Sequence, residues 1–155
     1  MKVIESFMFE NIARWAMEKL REYKAVIIAS LLSAAMAYMF WFTNKLVNHD
    51  EVESLFGKGA TSPSGRWGLE LVKTLFPDWS MPWIYGYVSI VFFSLAVCLA
   101  VKLLGIRSKP MQALVGMLIL SFPSLTGNFC FMFTSAPYAL SFFLAVLYAM
   151  RRAPK

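Results

Sequence analysis

Apolar positions fall along this chain in long blocks separated by short polar stretches, and the blocks predict helices of membrane-spanning length. Residues 1–24 come first and are mixed in character. Ile4, Met8, Ile12, Trp15, Ala16 and Leu20 recur at three- and four-residue steps, while Glu10, Arg14, Glu18, Arg21 and Glu22 take the other side. That period predicts an amphipathic helix, suited to lying in the headgroup plane with its apolar side down; packing on a protein partner is the alternative. The block "AVIIASLLSAAMAYMFWF", residues 25–42, has 18 residues and no charge. At about 1.5 Å per residue it reaches about 27 Å, enough for a first span. Tyr38 and Trp41 suit an aromatic belt at its far end.

Residues 43–81 are polar by comparison, and a connection of this length is expected to hold structure of its own. Asp50 to Phe56 reads as a short helix with acids at its start and Gly57 after it. Ser64 to Phe76 reads as a second, with Trp67, Leu71 and Leu75 on one face and Pro77 as the stop. A second span is predicted at 83–104, followed by the basic turn "GIRSKP". Residues 111–150 then contain no Asp, Glu, Lys or Arg, which is too long for one span and enough for two. Pro123, Gly127 and Asn128 interrupt this run, and "TSAP" resembles a fresh helix start with Ser135 as cap and Pro137 just inside. Spans three and four are therefore placed at 111–127 and 136–150. The fold expected is a single all-α polytopic membrane domain over 1–155, with about four transmembrane helices, an amino-terminal interfacial helix and a helical outer loop.

Composition agrees with the pattern. The 155 residues are 59% hydrophobic, with a mean hydropathy of +0.59, whereas soluble domains are about 45–50% apolar. The net charge of +6 does not point to nucleic acid, because the cations flank apolar blocks and form no single patch. Cys98 and Cys130 fall at different depths of the expected spans, so no disulfide is expected. The amino-terminal residues lack an apolar signal core, and no cleavable signal peptide is expected. Eleven of the basic residues fall on the side of the two termini and the 102–109 turn; only Lys45, Lys58, Arg66 and Lys73 fall on the other. The positive-inside rule then places both termini in the cytoplasm and residues 43–81 on the outer face, the periplasmic one if the cell is Gram-negative, and the expected location is the bacterial inner (cytoplasmic) membrane.

The outer segment carries the candidate chemistry. Asp50 and Glu51 follow the first span closely, at a depth where a carboxylate can meet a lipid-borne substrate and act as a general base. Arg66 can hold a phosphate through its planar fork. The plainer reading is that Asp50, Glu51 and Glu53 favour the positive end of a short helix, for about 0.3–1 kcal/mol each. His49, a single histidine among acids, is a weak metal signal, and no metal or other cofactor is expected. Arg66 beside Trp67 is also explicable as an interfacial anchor.

"NHDEVESLFG", after the first span, and "SGRWGLELV", a short way on, resemble the beginning of the Gtr type II family of bacterial and phage O-antigen glucosyltransferases, within the GT-C superfamily. The run "SFPSLTGNFCFMFTSAPYALSFFLAVLYAMRR" is similar to the spans that follow in that family. The resemblance implies transfer of glucose from undecaprenyl phosphate, a polyprenyl-phosphate carrier, to a lipid-linked polysaccharide acceptor on the outer face. It implies Asp50 or Glu51 as catalytic base, with Arg66, His49 and Trp67 at the substrate. Members of the family are roughly three times as long and have more spans, so this chain is expected to be an amino-terminal portion: a truncated reading frame, a fragment or half of a split enzyme, with an oligomer or a missing carboxy-terminal half as partner. Two rival readings stand beside it: a small four-span carrier or flippase-like accessory for polyprenyl-phosphate sugars without chemistry of its own, and a scaffold whose outer loop binds a protein.

Overall fold

The computed structural model describes residues 2–44, 52, 67–74 and 81–153, with the side chains of 2–9 and 73 left aside. Seven helices are described: α1 (Lys2–Glu22), α2 (Lys24–Thr43), α3 (Trp67–Lys73), α4 (Pro82–Leu103), α5 (Lys109–Leu120), α6 (Pro123–Cys130) and α7 (Met132–Arg152). No strand occurs among the described residues. In lipid this is the economical outcome, because a helix satisfies its backbone within one segment.

Helices α2, α4 and α7 are each long and apolar enough to cross a membrane, and α5 with α6, bent by 45° at their junction, makes a fourth candidate when the pair is taken as one broken span. The bend follows from Pro123. It has no N–H to donate, and it restricts Phe122 to the extended backbone found there, φ −66° and ψ 132°. The freed groups are not left bare. Phe122 N–H donates to the Ile119 carbonyl at 3.3 Å, and the Phe122 carbonyl accepts from Leu125 N–H at 2.9 Å. The interruption therefore sits at Phe122, while Gly127 and Asn128, expected to mark it, lie inside α6.

Helix α7 begins at Met132, earlier than "TSAP" suggested, and Pro137 is inside it. A single residue, Phe131, links it to α6. Ser135 does not cap this helix. It is fully buried, donates to the Met132 carbonyl at 2.9 Å and accepts from Ser89 Oγ of α4 at 3.1 Å. Burial against α4 thus overrides the local start signal: a hydroxyl in an apolar interior goes where a partner is.

Helix α4 is central, with 56% of its span buried against 33% in α2 and in α7. It runs antiparallel to α2, since Gly86 near its start meets Phe42 near the end of α2. It runs parallel to α7, where Ser89 meets Ser135 and Phe93 stacks with Phe142 at 5.7 Å. Helices α2 and α5 are also parallel: Gly116 sits against Ser30, Ser33 Oγ donates to the Met117 carbonyl at 3.1 Å, and Tyr38 reaches Phe122. A Cβ on Gly116 would lie 2.7 Å from Ser30 Oγ and 3.2 Å from the Val26 carbonyl oxygen, so a glycine permits this approach. Small residues at such contacts let helix backbones close in where no hydrophobic drive exists between helices.

These directions bring Lys24, Lys102, Arg107, Lys109 and the Arg151–Arg152 pair to one end of the bundle. At that end Lys109 Nζ donates to the Glu22 carbonyl and to Gln112 Oε1 at 3.4 Å, and buried Gln112 donates to the Ile106 carbonyl at 2.8 Å. Helix α1 stands apart from the core. None of its described side chains is buried, and Ile12, Trp15 and Leu20 are more than half exposed. Its Lys19 and Glu22 pair at 2.5 Å; the hydrogen bond holds the ammonium above and the carboxyl below their ordinary values. Cys98 and Cys130 form no disulfide.

Candidate functional site

The end opposite the cations is where residues 43–81 leave and re-enter the bundle. Helix α2 finishes there under its own side chains: Thr43 Oγ1 donates to the Met39 carbonyl at 2.9 Å and Asn44 Nδ2 to the Phe40 carbonyl at 3.0 Å. Such side-chain bonds satisfy carbonyls that the last turn leaves open. His49, Asp50, Glu51 and Arg66 lie outside the described residues, as do the expected Asp50–Phe56 helix apart from Val52 and the Ser64–Arg66 start of the second helix. Trp67 is described, as the first residue of α3.

Helix α3 packs on α7. The face it uses is not the one that carries Trp67 and Leu71. Gly68, Leu69, Glu70 and Val72 are half-buried, whereas Trp67 and Leu71, one turn apart, are 80% and 66% exposed. The Trp67–Leu71 face is therefore free of the described protein and oriented away from the bundle. Thr74 closes the helix, with Oγ1 donating to the Leu71 carbonyl at 2.6 Å.

The bundle at this end is floored by aromatic rings. Phe129 of α6 is buried among Tyr38 at 4.6 Å, Phe42 at 5.1 Å and Phe93 at 6.4 Å, all centroid distances. Offset and edge contacts of this kind add about 0.5–1.5 kcal/mol each beyond area burial. Trp83, Tyr87 and Phe122 stand outward around them, each about half exposed or more. Tyr87 donates from its hydroxyl to Met39 Sδ at 3.6 Å. The arrangement gives a buried aromatic base with amphipathic rings at its rim, the distribution expected at a membrane interface.

The sequence pattern marks Asn128, next to Phe129 in α6, only as a helix breaker. The Asn128 Nδ2 amide is buried and has no hydrogen-bond partner among the described residues. A carboxamide inside a charge-free run is itself a signal, because a buried unpaired donor costs about 1–3 kcal/mol. No group of three His, Cys, Asp or Glu side chains forms among the described residues.

Fold and composition define a helical, multi-span membrane protein with one short described helix, α3, packed on α7. A family model described as glucosyl transferase GtrII matches residues 39–150, from the last turns of α2 through the segment 43–81 and across α4 to α7. The chain belongs to the GtrII glucosyl transferase family. Comparisons with curated proteins and with solved structures each returned no match.

Proposed function

We propose that this chain serves transfer of a glucosyl group from a polyprenyl-phosphate donor to a lipid-linked O-antigen polysaccharide at the outer face of the bacterial inner membrane, with both termini cytoplasmic. The GtrII match over 39–150 carries the reading, because it spans the acidic segment as well as the helices that hold it. Two features of the molecule support it. The cations of the helix ends gather away from residues 43–81, as the positive-inside rule asks of an outward-facing segment. The rim of Trp83 and Tyr87, with the outward Trp67, suits work at headgroup depth.

In this reading Asp50 or Glu51 takes the proton from the acceptor hydroxyl as its oxygen attacks the anomeric carbon of the donor sugar. The bond from that carbon to the phosphate oxygen breaks, and the polyprenyl phosphate leaves with its charge met by the Arg66 guanidinium. His49 and Trp67 contact the substrate, Trp67 by its indole face.

The test uses the longest reading frame containing this chain, in native membranes, with labelled glucose on its polyprenyl carrier. Asp50→Asn and Glu51→Gln are assayed separately, and one of them lowers transfer by about 10²–10⁴-fold at unchanged expression. Arg66→Lys raises the donor concentration needed, since an ammonium cannot reproduce the planar fork. Near-normal transfer in both carboxyl variants removes the acids from the chemistry. Absence of transfer in the unaltered protein, with labelled lipid still moving between leaflets, replaces the enzyme by a carrier.

A further inference from the structure

A groove of about 1020 Å³ runs along the α2–α5 pair on the side where neither α4 nor α7 contributes to the lining. Its lining includes the small side chains of Ala25, Ala29, Ser33 and Ala37 of α2 and of Ala113 of α5, which we take as its floor. Ile28, Leu32 and Met36 rise along one side, and Met36 is 89% exposed. This concavity lies along the apolar length of α2, which is long and apolar enough to cross a membrane. One mouth is different. Arg21, Lys24 and Lys109 line it, and no carboxylate does. Arg21 and Lys24 form no ion pair among the described residues, and the nearby Glu22 carboxylate is taken by Lys19.

We propose that this groove is a binding site for one anionic diacyl phospholipid, its phosphate held by Arg21, Lys24 and Lys109 and its chains lying along α2 and α5. The mostly apolar lining suits acyl chains, while the cation trio suits a negative head at the interface. From Lys24 to Ala37 the groove extends about 20 Å at 1.5 Å per residue, about half of a bilayer of about 40–45 Å counted with its headgroups. That length matches a lipid of one leaflet; a long polyprenyl chain would overrun it. The site is at the end of the bundle away from residues 43–81, so it stands apart from the transfer reading. The Lys109 ammonium, already anchored on the Glu22 carbonyl and Gln112, keeps the trio in place, and α1 supplies Arg21.

The experiment reconstitutes the full chain in nanodiscs of equal phosphatidylcholine and phosphatidylglycerol and counts retained lipid by native mass spectrometry. The expected result is one phosphatidylglycerol retained in preference to phosphatidylcholine. Arg21→Gln and Lys24→Gln each reduce that preference about fivefold. Arg107→Gln with Arg151→Gln, at the same end but outside the groove, leaves it unchanged. Ala113→Phe, which fills the floor without touching a charge, abolishes retention; if that variant does not fold, the two charge variants, both at exposed positions, still decide. Equal retention of the two lipids, an equal loss with the Arg107 and Arg151 changes, or displacement by excess inorganic phosphate overturns the site. Preference for a polyprenyl phosphate over phosphatidylglycerol overturns the assignment to a phospholipid.

Discussion

The Tyr38 hydroxyl of α2 donates to the main-chain carbonyl of Phe122 at 3.2 Å, at the point where Pro123 breaks the α5–α6 span. One side chain thereby does two jobs at the end of the bundle that carries the candidate site. Its oxygen ties down an interrupted backbone, and its ring, 2% exposed, packs on Phe129. Non-helical backbone at membrane depth is stable only when protein groups cover it in this way.

Replacing Tyr38 separates the two roles. Tyr38→Phe keeps the ring and loses the hydrogen bond, while the Phe122 carbonyl retains Leu125 N–H. A loss of about 0.5–1.5 kcal/mol is expected in denaturant unfolding of the purified protein in detergent. Tyr38→Ala also empties the space beside Phe129 and is expected to cost about 3–5 kcal/mol. Equal losses in the two variants would mean that the ring contributes nothing.

Gly86 and Phe42 provide a steric test of the α2–α4 crossing. A Cβ on Gly86 would lie 2.6 Å from Phe42 Cε1, and Phe42 is buried against Phe129, so the ring has little room to withdraw. Gly86→Ala is expected to destabilise by about 1–3 kcal/mol despite the better helix propensity of alanine. Adding Phe42→Leu to Gly86→Ala should recover part of that loss. A stabilised Gly86→Ala single variant would show that the helices do not approach this closely.

Orientation in the membrane is measurable by thiol labelling. With Cys98 and Cys130 replaced by alanine, Ser62→Cys should react with a membrane-impermeant reagent in intact spheroplasts, and Ser108→Cys only after the cells are opened. The reverse pattern places residues 43–81 in the cytoplasm and removes the outward-facing active segment from the proposed function.

Much of this protein is legible in one dimension. Charge-free blocks long enough to span lipid must be helices, because only a helix or a closed barrel satisfies its backbone there. Thus α2, α4 and the paired crossings between 109 and 152 follow from the sequence, and the GtrII resemblance was carried by short motifs that the family match over 39–150 now supports. Asp50, Glu51 and Arg66 stand out in the sequence as candidate chemistry, and they lie outside the described residues. What the sequence could not rank was one apolar face against another. A helix that is apolar all round gives no moment to say which side meets protein and which meets lipid. The tertiary structure made those choices through shape and polar pairing. It seated Ser135 on Ser89 in place of a cap, closed α5 on α2 at Gly116, and turned Trp67 and Leu71 outward from α7. It also put the break at Phe122, where Tyr38 can reach the freed carbonyl. Proline supplies the interruption, but only a neighbouring helix can supply the hydrogen bond.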